Sequence, residues 1–271
     1  MNPWRQTLRS FFRALRPHRL RIVLGALAAS TLPACTAMLP KPVDPIPTRW
    51  VDAPAPSQVR RLAIVLPGRG DDLDALANSG IVDAIQHSRP DFDVVLVEAT
   101  LSYYLDGKIV PRLHDQIVTP ARRRGYREIW LAGASMGGVG VTLYEHEHPG
   151  ELTGLLLMAP YMGDGTLIKE IAAVGGVAAW EPGPKPIEID RANGVREQWR
   201  VIKSWSRDAA MSKRVWLVCG ESDRLRTAAD LIGTVLAPDH YLARTGGHAW
   251  KVWSPAVEEA FARMRRDSVA H

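Results

Sequence analysis

The stretch Gly133-Ala134-Ser135-Met136-Gly137-Gly138 decides the fold of this 271-residue chain. The apolar run before it, 128–133, predicts a buried strand, and residues 136–147 after it predict a helix. Where a strand turns this sharply into a helix, the positions two before and two after the serine have room only for small side chains. The stretch therefore predicts a strand–turn–helix unit that holds the hydroxyl of Ser135 above a sheet.

Short apolar runs and helix-like segments alternate on both sides of this unit. Strands are predicted at 61–66, 93–98, 128–133, 152–158, 215–219 and 240–243, and helices at 72–87, 109–124, 136–147, 225–236 and 255–266. This alternation is typical of βαβ units, so we expect an α/β fold with a mainly parallel central sheet flanked by helices. Ligands of such sheets bind beyond the carboxyl ends of the strands, which is where Ser135 lies.

A serine in such a turn becomes a nucleophile only if a base and an acid accompany it; otherwise the glycines serve only to pack a helix against a strand. Of eight histidines, His248 follows the last predicted strand, and two glycines before it let the loop bend back over the sheet. His146 and His148 end a predicted helix and face different sides, so we interpret them as solvated rather than as a metal pair. His248 is the favoured general base, with a surface loop histidine as the alternative.

The carboxylate that orients the histidine is expected after the strand 215–219. Asp223 lies there, with room for one helix and one strand before His248. It can hold the imidazole tautomer and stabilise the imidazolium, although a helix-capping role fits it as well. Glu221 and Asp164 are the rival acids.

The chain order of serine, aspartate and histidine matches that of the α/β-hydrolases. Residues 60–267 resemble an α/β-hydrolase of the esterase/lipase type. The resemblance implies the α/β-hydrolase fold with a small cap insertion at about 161–212. It also implies a catalytic triad of Ser135, His248 and Asp223.

The resemblance further implies an oxyanion hole. The segment Leu66-Pro67-Gly68-Arg69-Gly70 is similar to the HG-x segment of the family, with proline where histidine is usual. The N–H groups of Met136 and Arg69 would then stabilise the oxyanion, with Gly68 as a further residue of the oxyanion hole and Gly70 as the alternative second donor. In the cap, Trp180, Trp199 and Trp205 either line an acyl pocket or pack the cap itself.

The N-terminal 34 residues have the features of an export signal. They contain six arginines and no acidic residue, and a 13-residue apolar stretch, 22–34, ends at Cys35. The ending resembles the lipobox of bacterial lipoproteins, with Pro33 where a small or hydroxyl residue is usual. We expect export to the cell envelope, facing the periplasm or exterior, and a lipid anchor to the membrane at Cys35; an uncleaved anchor and a plain secretory signal are the alternatives.

The segment 35–59 separates this leader from the α/β-hydrolase domain, 60–271. Six prolines fall within 40–56, a composition that favours stiff, extended chain. We therefore predict a tether; a proline-rich edge segment lying along the domain is the alternative.

The charge balance, the length of the apolar stretch and the missing motifs argue against several classes of function. Without the leader's arginines the chain has 28 basic against 29 acidic residues, so the excess of positive charge gives no indication of nucleic acid. The 13-residue apolar stretch is shorter than the roughly 18 residues of a spanning helix, which argues against a polytopic membrane protein. No phosphate-binding loop, dinucleotide fingerprint or metal-ligand spacing is present, so no cofactor and no metal are expected.

Three functions fit this sequence. The first is hydrolysis of a small-molecule carboxylic ester or lipid, by an esterase or a lysophospholipase-like enzyme. The second is a thioesterase or peptidase with the same triad, of which the short cap disfavours the peptidase. The third is a non-catalytic binding protein on a hydrolase scaffold.

Overall fold

The computed structural model describes residues 41–190 and 192–269. The predicted export signal, 1–34, and the predicted lipidation site, Cys35, lie outside the described residues. Among the helices within the described ranges, none is both long and apolar enough to cross a membrane.

The described residues contain one sheet of seven strands. These are β1 (Thr48–Val51), β2 (Arg60–Leu66), β3 (Phe92–Val97), β4 (Tyr126–Ala134), β5 (Gly154–Met158), β6 (Val215–Gly220) and β7 (Tyr241–Arg244). Their order is β1-β3-β2-β4-β5-β6-β7; β1 is antiparallel to β3, and all other pairs are parallel. The central strand β5 is apolar and buried over its whole length because both faces of a parallel sheet are covered. The predicted mainly parallel sheet is confirmed.

Helices flank this sheet in two groups. They are α1 (Leu73–Ala77), α2 (Ile81–Ser88), α3 (Leu101–Leu105), α4 (Ile109–Leu113), α5 (Thr119–Arg123), α6 (Gly137–Glu147), α7 (Gly165–Ala173), α8 (Gly194–Trp205), α9 (Ala209–Ser212), α10 (Arg226–Gly233) and α11 (Trp250–Val269). The long α11 packs on α2, β6 and β7, whereas α6 packs on α4, α8 and strands β2, β4 and β5. The helix α6 therefore runs from the turn at Ser135 along the centre of the sheet.

Three helices differ from their predicted form. The predicted helix 72–87 is divided into α1 and α2 because Gly80 takes a left-handed conformation, with φ of 77°. A π-helical turn, His114–Val118, separates α4 from α5. The last helix begins at Trp250 rather than at Pro255, since the N–H of Trp253 already bonds the carbonyl of Ala249.

The segment before β2 is part of the domain rather than a tether. Strand β1 pairs with β3 along its whole length, and the side chain of Ile46 is 3% exposed within the core. The N–H of Ile46 donates to Gln116 Oε1 at 2.8 Å, and the hydroxyl of Tyr103 donates to the carbonyl of Val43 at 2.8 Å. For residues 43–51 the tether prediction is wrong, and the edge-segment alternative describes them.

The burial of Ile46 is expected to make a measurable contribution to the stability of the domain. Replacing Ile46 by alanine is expected to lower the free energy of unfolding by about 2–5 kcal/mol, because it leaves a cavity in the core. Val43→Ala is the matched control: Val43 is 56% exposed, and a surface truncation changes stability by less than about 0.5 kcal/mol. Denaturant unfolding of the full chain measures both. Equal stability of the two variants would contradict the inclusion of this segment in the core.

Candidate active site

The turn between β4 and α6 holds Ser135 in a strained backbone conformation. Its φ is 50°, in the left-handed region that residues with a Cβ seldom adopt. The N–H of Ser135 donates to the carbonyl of Met158 at 2.8 Å, and the carbonyl of Ser135 accepts from the N–H of Gly138 at 3.1 Å and of Tyr161 at 2.8 Å. The conformation is therefore fixed by three backbone bonds, one to the start of α6 and two to the end of β5 and the loop that follows it.

Two glycines make this turn possible, as the sequence predicts. A Cβ at Gly133 would lie 2.3 Å from the carbonyl oxygen of Gly137, and a Cβ at Gly137 would lie 2.7 Å from that of Leu66. Either contact is shorter than real Cβ atoms show. The second contact also places the loop after β2 directly against the start of α6.

His248 and Asp223 form a hydrogen-bonded pair. The Nδ1 of His248 lies 2.9 Å from Oδ1 and 2.9 Å from Oδ2 of Asp223. The side chain of Asp223 is fully buried, whereas 18% of the His248 side chain is exposed. Asp223 also accepts the N–H of Leu225 at 2.8 Å, which fixes the carboxylate. A proton on Nδ1 directed at this carboxylate leaves Nε2 of His248 as the basic nitrogen.

The two rival carboxylates have other partners. Glu221 is exposed and accepts the hydroxyl of Thr245 at 3.0 Å. Asp164 is exposed and caps α7 by accepting the N–H of Thr166 at 3.0 Å. Of the three candidate acids, Asp223 is the one that bonds His248.

A cavity of about 220 Å³ joins the sequence-predicted residues. Its lining consists of residues from loops at the carboxyl ends of four strands and from the start of α11: Gly68, Arg69, Asp71, Ser135, Arg224, His248, Ala249, Trp250 and Trp253. Ser135 and His248 thus face one common space, as the sequence predicts for the edge of the sheet.

In the loop after β2, where the sequence suggests an oxyanion hole, the N–H of Gly68 is bonded, whereas no described residue accepts that of Arg69 or of Gly70. The N–H of Gly68 donates to Asp71 Oδ2 at 3.2 Å, so this group is already bonded. Within the described residues, no acceptor bonds the N–H of Arg69 or that of Met136, which precedes α6. A Cβ at Gly68 would lie 3.8 Å from the Cβ of Ser135, so this loop lies beside the serine.

Asp71 is a residue of this cavity that sequence reasoning missed. Its Oδ2 accepts the indole N–H of Trp250 at 3.0 Å in addition to the N–H of Gly68. Asp71 therefore joins the loop after β2 to the start of α11, which is 179 residues away. Its position shortly after Gly68 is the one signal in the sequence that points to it.

Aromatic rings form one wall of the cavity. The ring of Trp253 meets that of His248 edge to face, with centroids 4.6 Å apart, and Trp250 meets Trp253 in the same manner at 5.4 Å. The three cap tryptophans lie elsewhere: Trp180, Trp199 and Trp205 are buried in the core. The packing alternative therefore describes these three residues.

His148 ends α6, as predicted, but it is less solvated than expected, with 29% of its side chain exposed. Its ring stacks on that of His114 with centroids 4.1 Å apart, and both Nδ1 atoms lie near Glu151 Oε2, at 3.4 Å for His114 and 3.7 Å for His148. Two imidazoles and a carboxylate are ligands that zinc accepts. The rings are parallel within 1°, however, so their Nδ1 lone pairs do not converge on one point.

Several solved structures share this architecture. Est1E from Butyrivibrio proteoclasticus has a TM-score of 0.57 at 18% identity, over 84% of this chain and 97% of that chain. FphF, a fluorophosphonate-binding serine hydrolase of Staphylococcus aureus, has a TM-score of 0.55 at 13% identity, over 83% and 96%. FrmB, an S-formylglutathione hydrolase of Staphylococcus aureus, has a TM-score of 0.51 at 15% identity, over 77% and 83%. At these identities the likeness establishes the fold, and the chain has the α/β-hydrolase fold.

Comparison with sequences adds nothing to this structural likeness. No model of a known protein family matches the chain, and no curated protein sequence matches it.

Proposed function

We propose that this protein is a serine hydrolase that cleaves carboxylic esters. The observation that carries the proposal is the bond between Asp223 and Nδ1 of His248 at the rim of the cavity that Ser135 also lines. A buried carboxylate fixed on a half-buried histidine, next to a serine in a strained turn, is the constellation of nucleophilic acyl transfer.

The proposed mechanism has two steps. Ser135 Oγ attacks the ester carbonyl while Nε2 of His248 takes the hydroxyl proton and passes it to the leaving alcohol. A water molecule, deprotonated by the same nitrogen, then attacks the acyl-enzyme and releases the acid, and the proton returns to Ser135. Asp223 holds the imidazole and stabilises its protonated form throughout.

Negative charge on the carbonyl oxygen needs donors during both steps. The N–H groups of Met136 and Arg69 are the proposed pair, since Asp71 already occupies that of Gly68. The N-terminal end of α6 adds the positive end of its dipole. Loss of one such donor typically costs about 10²–10³ in rate.

The size of the cavity favours small substrates. Its volume of about 220 Å³ is below the 300–1,000 Å³ or so of pockets that enclose drug-sized ligands. A short acyl group fits this space better than a long fatty-acid chain, so a small ester is favoured over a lysophospholipid. A thioester is the second candidate, because the acyl-enzyme chemistry is the same and FrmB, which shares the fold, is an S-formylglutathione hydrolase.

The place of action is part of the same proposal. The arginine-rich leader and the apolar stretch before Cys35 support export and attachment to a membrane through that cysteine. The folded domain would then act on esters at the cell envelope.

Labelling with a fluorophosphonate tests the proposed nucleophile. We expect an adduct on Ser135, mapped by peptide mass spectrometry, because the reagent modifies serines that a neighbouring base activates. Prior treatment with iodoacetamide is expected to leave the labelling unchanged. Burial raises the pKa of the Cys219 thiol to about 12, so this cysteine stays protonated and inert near pH 8.

Two histidine variants serve as controls for the labelling. His248→Ala is expected to abolish the adduct, whereas His87→Ala keeps it, because His87 is an exposed residue paired with Glu258. Absence of an adduct on folded protein, or an adduct that survives in His248→Ala, would contradict an activated serine at this site.

A further inference from the structure

Two guanidinium groups at the cavity have no partner. Arg69, after β2, and Arg224, after β6, both line the cavity and are exposed. In the part of the chain that the structure describes, neither side chain forms a hydrogen bond, an ion pair or a ring contact. Other arginines of the domain pair with carboxylates, among them Arg61, Arg196 and Arg200.

The carboxylates of the cavity are already engaged by other donors. Asp223 bonds His248 and the N–H of Leu225. Asp71 bonds the N–H of Gly68 and the indole of Trp250. Neither carboxylate pairs with an arginine, so the two guanidinium groups remain available to an anion that enters the cavity.

We propose that the cavity binds esters that carry an anionic group, a carboxylate or a phosphate, a few bonds from the scissile carbonyl. The inference rests on the proposed function and gives its substrate class. One guanidinium group can donate two parallel hydrogen bonds to two oxygens of a carboxylate or a phosphate. This bidentate contact fixes the orientation of the anion. Arg69 and Arg224 hold the anion, while Trp250 and Trp253 contact the hydrocarbon part beside Ser135.

The cavity volume is compatible with this class. About 220 Å³ accommodates a hemiester of a short dicarboxylic acid, or a short-chain acyl ester of a phosphorylated alcohol. Two cationic side chains at the mouth also raise the local concentration of such substrates, an effect that weakens as salt screens the charges.

Kinetics with matched esters test the proposal. The probes are the 4-nitrophenyl monoester of succinic acid, which is anionic, and 4-nitrophenyl butyrate, its neutral counterpart. We expect kcat/KM to be about 10–100-fold higher for the anionic ester at low salt, since hydrogen bonds to charged groups contribute strongly. The ratio is expected to fall as the salt concentration rises. Butyryl glycerol 3-phosphate, followed by acid release, determines whether the anion belongs on the alcohol side instead.

Charge-removing variants assign the effect to the two arginines. Arg69→Gln and Arg224→Gln each keep the backbone N–H and are expected to lower the anionic-to-neutral ratio of kcat/KM by about 3–10-fold, with the double variant bringing it near one. Arg123→Gln is the matched control, because Arg123 is exposed at the end of α5, away from the cavity. A ratio of one or less in the unaltered protein together with no cleavage of butyryl glycerol 3-phosphate, or a ratio that the double variant leaves unchanged, would overturn the proposal.

A binding measurement separates this inference from the hydrolase proposal. Calorimetry with the Ser135→Ala protein is expected to show binding of monomethyl succinate at least tenfold tighter than that of dimethyl succinate. The Arg69→Gln/Arg224→Gln double change is expected to remove this preference. If binding discriminates but no ester is cleaved, the hydrolase proposal fails and the anion site stands. If esters are cleaved but neither binding nor rate favours the anion, only the anion site fails.

Discussion

Replacing Ser135 by alanine is expected to lower kcat for a small carboxylic ester by about 10⁶-fold, because the proposed attacking oxygen is lost and the other residues of the proposed triad have nothing to activate. The fold is expected to survive. Alanine adopts the φ of 50° about as well as serine, and the turn is held by backbone bonds that the substitution leaves in place. Steady-state rates with 4-nitrophenyl acetate, together with the thermal midpoint, measure both expectations.

A second buried serine provides the control for this variant. Ser102 is 8% exposed and Ser135 is 7% exposed, but the hydroxyl of Ser102 pairs with that of Thr100. Ser102→Ala is expected to cost some stability and to keep kcat within about twofold, since a buried hydroxyl is worth roughly 1 kcal/mol to the fold. Ser135→Ala protein that retains more than about one hundredth of the activity would place the nucleophile elsewhere.

The strand–turn–helix unit was predictable because its cause is local. Gly133 and Gly137 would clash with neighbouring backbone if either had a Cβ, so the sequence pattern and the sharp turn imply each other. The positions of Asp223 and His248 were predictable for a related reason. Both follow strands of one parallel sheet, and the carboxyl ends of such strands lie at the same edge.

The first strand was not predictable because its cause is distant. A run rich in proline has the same composition whether it extends into solvent or lies along a sheet edge. Strand β1 pairs with β3, Ile46 just before β1 is buried, and nothing in the segment itself identifies β3 as the partner. The sequence left the two alternatives open, and pairing between strands decides between them.

The hydrogen bond between Asp71 and Trp250 also could not be predicted, because its two partners are distant in the sequence. The two residues are 179 positions apart, and each has an ordinary local explanation, a loop carboxylate and the first residue of a helix. The stacking of His148 on His114 likewise joins the end of α6 to the π-helical turn. Contacts of this kind depend on how complete elements pack, which local patterns do not contain.

Replacing Asp223 by asparagine is expected to lower kcat by about 10⁴-fold and to keep the protein folded. The carboxylate accepts from Nδ1 of His248, which leaves Nε2 unprotonated and able to take the proton of Ser135. The amide of asparagine instead donates to Nδ1, so the proton of the ring moves to Nε2 and the base is lost. Asparagine oxygen still accepts the N–H of Leu225, which preserves the loop.

Substitutions of the two rival carboxylates test whether the loss of activity is specific to Asp223. Glu221→Gln removes a charge that faces Thr245 at the surface, and Asp164→Asn keeps a residue that caps α7 equally well, so both are expected to retain kcat within about twofold. The three substitutions are isosteric, and each removes one negative charge. A loss confined to Asp223→Asn therefore depends on the contact with His248 rather than on the overall charge. If Glu221→Gln or Asp164→Asn lost the activity and Asp223→Asn kept it, the bonded pair would be structural and the acid would lie on the other loop.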